Sequence, residues 1–242
     1  MSNINLVQCQ DADDAVSRAS EKLNLILKDL AQASVPTLLL LSGGSALKIA
    51  EQIEKNYLPK VLTLGVLDDR YSKDESVNNF SQLARTKLFR DAESIGAVFI
   101  DTRVNGEESI EEVAGRADMV IKNWIAENET GKIIVTQGIG PDGHTSGVMP
   151  FPEDEKKFQE LFIDTEKYSV GYDALGKNQY SLRITATLRF LMDRVDESVL
   201  LMTGVEKIQA FNSAMDSSGQ LAHTPARVIH QMKKVNLFTD IK

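Results

Sequence analysis

The chain has 242 residues, 42% hydrophobic and 26% charged, an ordinary globular balance with enough length for one large domain around a buried core. Its formal net charge of −8, with no stripe of Lys and Arg to follow a phosphate backbone, argues against nucleic acid as a partner. Cys9 is the sole cysteine, which excludes an intrachain disulfide and a cysteine-based zinc site; no apolar run approaches the roughly 20 residues of a membrane helix, and no secretion signal opens the chain, so a cytoplasmic protein is expected.

Apolar residues at Ala12, Val16, Ala19, Leu23, Ile26 and Leu30 recur at helical spacing behind Asp11, a favourable N-cap. After Pro36, the short apolar run from Thr37 to Leu41 reads as a strand buried on both faces, closed by Ser42, Gly43, Gly44 and Ser45. A helix is predicted from Ala46, a strand over Val61 to Leu67, a helix over Asn79 to Phe89 and a short strand over Val98 to Ile100. Ser109 and Glu112 form a capping box for a long helix with Ile110, Val113, Ala117, Val120 and Trp124 inside, and Lys132 to Gly138 reads as the next strand. Beyond Pro150 the pattern is irregular, and residues 151–180 are read as an excursion whose extended stretches, Leu161 to Asp164 and Tyr168 to Tyr172, carry a hairpin. Order returns with a strand near Ser181 to Thr185, a helix from Thr187, a strand over Ser198 to Thr203, a helix over Val205 to Met215 and a last strand over Lys234 to Phe238. Strands alternating with helices predict a mostly parallel sheet covered on both faces.

Four segments could carry chemistry. The turn Ser42, Gly43, Gly44, Ser45 sits between a strand and a helix, where backbone N–H groups can receive a phosphate. Asp68, Asp69 and Arg70 stand at the predicted carboxyl end of a strand, the end at which open α/β sheets bind ligands. The loop from Gly138 to Pro150 matches GxGxxG through Gly138, Gly140 and Gly143. It is not a dinucleotide fingerprint, because Gly147, Pro150 and Pro152 leave no room for the required helix and Asp142 would repel phosphates. A rigid loop presenting Asp142 and His144 fits better. Histidine, titrating at about 6.5 when unperturbed, suits proton transfer at neutral pH, and the carboxylate two residues away can orient the ring. His223 and His230 lack such a setting and read as structural or exposed. Arg183 and Lys207, each near a predicted strand end or helix start, are cations that could join a phosphate site.

In order along the chain, the SGGS, DDR, GIGPDGHTSGVMP, LRIT and TGVEK segments resemble the 6-phosphogluconolactonases, a family related to the glucosamine-6-phosphate deaminases. The resemblance spans nearly the whole chain, and the DGHT loop is its most specific element. It implies a three-layer α/β/α sandwich of modified Rossmann type with a mostly parallel sheet, hydrolysis of 6-phospho-glucono-δ-lactone to 6-phosphogluconate, and no metal or other cofactor. It also implies a small sugar phosphate as partner, neither nucleic acid nor membrane, and a monomer or small homo-oligomer. Carried over by position, Ser42, Gly43, Gly44 and Ser45 would hold the phosphate with Lys207. Asp68 and Arg183 would contact substrate or phosphate, and Arg70 would contact substrate. Arg70, or else the loop N–H groups, would act in catalysis as the oxyanion donor, and His144 would be the base with Asp142 beside it. The chain departs from the family pattern in having Ala46 and Leu47 after the turn, Asp69 within DDR where lactonases have DER, Asn78 and Asn79 for the usual Ser-Asn, and GVMP closing the loop.

Two other readings stay open. A deaminase or isomerase of amino sugar phosphates would use Asp68 to move a proton at C2, but its loop carries a carboxylate before the closing proline, where this chain has Met149. A non-catalytic sugar-phosphate sensor would keep the binding loop without turnover.

Overall fold

The structure, a computed structural model, describes residues 3–242. Seven strands form one all-parallel sheet, in spatial order β1 (Ile4–Gln8), β10 (Val235–Thr239), β9 (Glu197–Met202), β6 (Lys132–Gly138), β2 (Thr37–Leu41), β3 (Leu62–Val66) and β5 (Val98–Ile100). From β2 the chain moves outward through β3 to β5. It then returns to the other side of β2 as β6 and moves outward the opposite way through β9 and β10. A crevice opens at such a reversal beyond the carboxyl ends of the strands, here between β2 and β6.

Every residue of β2 is buried because the pleat divides its leucines between two layers. Leu38 and Leu40 join one core with Trp124, Phe158 and Phe190, whereas Leu39 and Leu41 join a second with Leu23, Ile49 and Phe80. The second layer includes α1 (Ala12–Gln32), whose first amides, on Asp13 and Asp14, donate to Asp11 as its N-cap. The first includes α4 (Ile110–Glu127), which opens on the expected Ser109–Glu112 capping box. Sheet and two covering layers make the predicted three-layer α/β/α architecture.

A separate three-stranded antiparallel sheet, β4 (Asp68–Arg70), β8 (Leu182–Ala186) and β7 (Ser169–Asp173), packs beneath α4. Its Val170, Tyr172 and Ala186 belong to the same apolar cluster as Leu40 and Leu200 of the main sheet. The strand expected over Val61 to Leu67 is β3, and after the single residue Leu67 the chain passes directly into β4 of the second sheet, a strand that had not been anticipated.

Several other expectations are corrected. Ile4–Gln8, an exposed edge strand of polar and apolar residues without a buried run, had not been anticipated. The helix expected over Asn79 to Phe89 is two, α2 (Asn79–Ala84) and α3 (Lys87–Ser94), because Thr86 accepts from the Phe89 N–H and starts a new N-terminus. The segment after the SGGS turn is a tight 310 run, Gly44–Gln52, rather than an α-helix. Leu161 is helical, within α5 (Glu155–Phe162), which Asp154 caps; the hairpin is made instead by β7 and β8. Val205–Lys207 is a 310 turn leading into α7 (Ile208–Met215). α6 (Leu188–Asp193) begins at Thr187 as expected, with that hydroxyl accepting from Phe190 N–H. Among the described residues no helix is long and apolar enough to cross a membrane.

Candidate active site

Ser42 follows β2, the Gly138 to Pro150 loop follows β6, the segment to Lys207 follows β9 and β4 follows β3. These four strands are neighbours in a parallel sheet, so four segments far apart in sequence meet along one edge. They surround a cleft of about 290 Å³ to which Ser42, Gly43, Gly44, Asp68, Arg70, His144, Arg183 and Lys207 all contribute. Asp142 is not part of that wall but stands behind His144. The side chain of Ser45 lies outside the described residues.

The floor is the turn after β2. Ser42 N–H donates to Thr136 Oγ1 at 3.1 Å, which ties the turn to β6. No side chain caps the 310 run that begins at Gly44, so its first amides keep their donors for a ligand. Lys207 is half-buried across the cleft, and its ammonium has no hydrogen-bond partner among the described residues. Burial lowers its pKa, opposed by Glu206 and Asp240.

One wall comes from the small sheet. Asp68 is paired with Thr185, and Arg70 with Arg183, across antiparallel β4 and β8. Opposed residues share a face and alternate residues do not, so Asp68, Arg70 and Arg183 face together and Asp69 faces away. The two guanidiniums have distinct anchors. Arg70 lies 5.0 Å from the centre of the Tyr180 ring and donates to Val77 O at 3.1 Å, whereas Arg183 donates through Nε to Tyr180 O at 3.0 Å. Between them Asp68 is 3.7 Å from Arg183 Nη1 and 3.5 Å from Ser42 Oγ. Burial pushes its carboxyl above the usual carboxylate range, against the pull of Arg183, His144 and Arg70.

Asp69, expected to line the site, does structural work instead. Its carboxylate accepts from the backbone N–H groups of Arg70 at 2.7 Å, Asn79 at 2.6 Å and Phe80 at 3.2 Å, and from Thr102 Oγ1 at 2.5 Å. It thereby fastens the start of α2 to β4. Burial raises its pKa to about 6 even against these four donors.

The opposite wall is the loop after β6, which opens no helix. Thr145 bridges to Ile139 and Val148, and its hydroxyl donates to Gly138 O at 2.9 Å. Gly140 N–H donates to His144 O at 2.9 Å, and a side chain at Gly140 would run into the His144 ring. His144 Nδ1 is 2.5 Å from Asp142 Oδ1, which also accepts the His144 backbone N–H at 3.2 Å. Partial burial raises the Asp142 pKa, but the hydrogen bond and charge of His144 outweigh it and hold the carboxyl below its ordinary value. An ionised Asp142 accepts a hydrogen bond from Nδ1–H, which selects the tautomer with Nε2 unprotonated. Gly147, with φ of 74°, passes so close to Asp68 that a Cβ there would sit 2.6 Å from the Asp68 Cβ. Tyr172 reaches up from β7 to close the loop, donating to Gly147 O at 2.6 Å and accepting from Met149 N–H at 3.1 Å; burial raises its pKa.

Met149 itself is 1% exposed and packed in the core, so the loop ending puts no side chain into the cleft. His223 pairs with Glu155 at 3.0 Å and His230 contacts Ala214 O at 2.9 Å, both away from the cleft. Sequence reasoning had not selected Asn79, Ser146 or Asn178, which also line it. Only Asn79 left a trace, in the Asn78–Asn79 pair that stands for the usual Ser-Asn after DDR. Among the described residues no group of His, Cys, Asp and Glu gathers in a way that could hold a metal.

An open parallel sheet with a cationic, amide-floored crevice at its reversal point defines an α/β protein of the ligand-binding, switch-point class. A profile of the family described as glucosamine-6-phosphate isomerases/6-phosphogluconolactonase matches residues 10–238, and the chain belongs to that family. No curated protein matches it. Among solved structures, a 6-phosphogluconolactonase from Plasmodium vivax is 14% identical with a TM-score of 0.77, over 100% of this chain and 92% of that one. A 6-phosphogluconolactonase from Trypanosoma brucei is 17% identical with a TM-score of 0.76, over 99% and 97%. One from Thermotoga maritima is 20% identical with a TM-score of 0.70, over 98% and 98%. At these identities the likeness is one of fold.

Proposed function

We propose that the protein hydrolyses 6-phospho-glucono-δ-lactone to 6-phosphogluconate, as the solved structures it resembles are named for doing, and that its 242 residues act as one domain. The observation that carries this reading is the Asp142–His144 pair, whose ring lines a cleft floored by the uncapped amides after β2, with Lys207 across from them. The phosphate would rest on the Ser42–Gly44 turn with Lys207, both well suited to an oxyanion. The lactone ring would then lie between Arg70 or Arg183 and His144.

In the reaction, His144 Nε2 takes a proton from a water molecule as the water oxygen bonds to the lactone carbonyl carbon. Guanidinium or loop N–H donors stabilise the oxyanion that forms. When the tetrahedral species collapses, the bond from the carbonyl carbon to the ring oxygen breaks, and the imidazolium returns its proton to that oxygen as a hydroxyl. The single product is the open-chain hydroxy acid, its carboxyl ionised in water. No covalent enzyme intermediate is needed, and Ser42, whose nearest carboxylate is 3.5 Å away with no histidine between, is not set up as a nucleophile.

Burial of Met149 favours this over the deaminase reading, since no carboxylate enters the cleft from the loop ending. The test is lactone disappearance with and without protein at mildly acidic pH, where spontaneous opening is slow. Enzymatic acceleration supports the lactonase; ammonia release from glucosamine 6-phosphate overturns it in favour of a deaminase. Binding of 6-phosphogluconate without turnover overturns it in favour of a sensor.

A further inference from the structure

One residue that lines the cleft carries a buried polar atom with no part in the chemistry above. Asn79, the first residue of α2, is 3% exposed and donates through Nδ2 to the Asp68 carbonyl oxygen at 2.9 Å. That bond fixes the orientation of the carboxamide and turns Oδ1 away from Asp68 O. Oδ1 is buried and has no hydrogen-bond partner among the described residues. The carboxamide packs against the bare backbone of Gly43, where any side chain would collide with it, and so lies beside the turn assigned to the phosphate.

A buried acceptor without a donor is costly and calls for a specific explanation. The phosphate cannot supply one, because its ionised oxygens are acceptors too and would be repelled. What Oδ1 requires is an O–H next to the phosphate, and a phosphorylated sugar carries such groups along its carbon chain. We propose that Asn79 is a substrate-binding residue whose Oδ1 accepts a hydrogen bond from a sugar hydroxyl, so that the cleft selects its ligand by hydroxylation as well as by phosphate. This rests on the sugar-phosphate reading above. The Asp68 carbonyl, at the head of the strand that carries Arg70, holds the acceptor in place before the ligand arrives.

The test is calorimetric binding of 6-phosphogluconate and its set of monodeoxy analogues to wild type and Asn79→Ala. Wild type is expected to bind one analogue about tenfold more weakly than the parent, while Asn79→Ala binds both alike. The proposal is overturned if wild type discriminates against none of the analogues, or if its discrimination persists in Asn79→Ala. A second measurement needs no variant: the side-chain carboxamide 13C resonance of Asn79 in wild type is expected to shift on saturation with 6-phosphogluconate and to stay in place with inorganic phosphate. Equal shifts with both, or none with either, overturn the proposal. Failure of wild type to bind 6-phosphogluconate at all instead overturns the sugar-phosphate reading, and is seen before any variant or analogue is tried.

Discussion

Replacing Asp142 by asparagine separates two effects of its carboxylate on His144. Oδ1 accepts from Nδ1 at 2.5 Å and from the His144 backbone N–H at 3.2 Å. A carboxamide oxygen can accept both, and the backbone donor orients it to do so, which preserves the ring's placement and tautomer. What disappears is the negative charge that favours the imidazolium formed when the ring takes the water proton. A charge-assisted hydrogen bond is about twice as strong as a neutral one, a difference of about 1 kcal/mol in net terms. The His144 and Asp142 side chains are 28% and 41% exposed, so solvent screening keeps the effect at that order. Asp142→Asn is therefore expected to lose about fivefold in kcat, whereas His144→Ala, which removes the base, loses about 10²- to 10⁴-fold. Initial rates of lactone hydrolysis at mildly acidic pH, after subtraction of the buffer rate, measure both. If Asp142→Asn were as damaged as His144→Ala, the carboxylate itself would be the base and the reasoning would be refuted; undiminished turnover in His144→Ala would refute it more directly.

Other expected outcomes follow from single contacts. Lys207→Ala should raise KM for the phosphorylated lactone about 10- to 100-fold with little change in kcat, and should leave hydrolysis of unphosphorylated glucono-δ-lactone unaltered; equal effects on the two substrates would show that Lys207 does not hold phosphate. Tyr172→Phe leaves Gly147 O and Met149 N–H without their shared partner, so denaturant titration should show a loss of about 1–3 kcal/mol, and an unchanged midpoint would contradict the buried bridge. Asp69, with its pKa raised from 3.8 to about 6, holds its proton in the folded chain at pH values where the unfolded chain has released it. Its contribution to stability is therefore fully present below about pH 4 and lost as pH rises through about 6, by up to about 3 kcal/mol for a shift of about two units. Urea titrations of wild type and Asp69→Asn across pH 4–7 should show that the difference in stability between them varies by that amount, and a constant difference would refute the raised value.

The sequence by itself determined the class of fold and picked out most of the side chains that gather in one cleft. Alternation of buried runs such as Thr37 to Leu41 with helical spacings is a local signal, because burial on both faces demands an unbroken apolar strand. Caps are local too: Asp11, the Ser109–Glu112 box and Thr187 bond to amides a few residues away. The proximity of Asp142 and His144 follows from two residues of separation in a glycine-rich loop. Tertiary structure decided what no local pattern encodes. The order of the parallel strands brings β2, β3, β6 and β9 together, and only that order makes one cleft out of Ser42, Arg70, His144 and Lys207. The register of β4 on β8 decides that Asp68 faces the cleft and Asp69 faces α2, since neighbouring residues on a strand point to opposite sides and the sequence DDR does not say which. Asn79 became visible for the same reason. An unsatisfied acceptor is a property of the space around an atom, and that space is assembled here from chain segments far apart in the sequence.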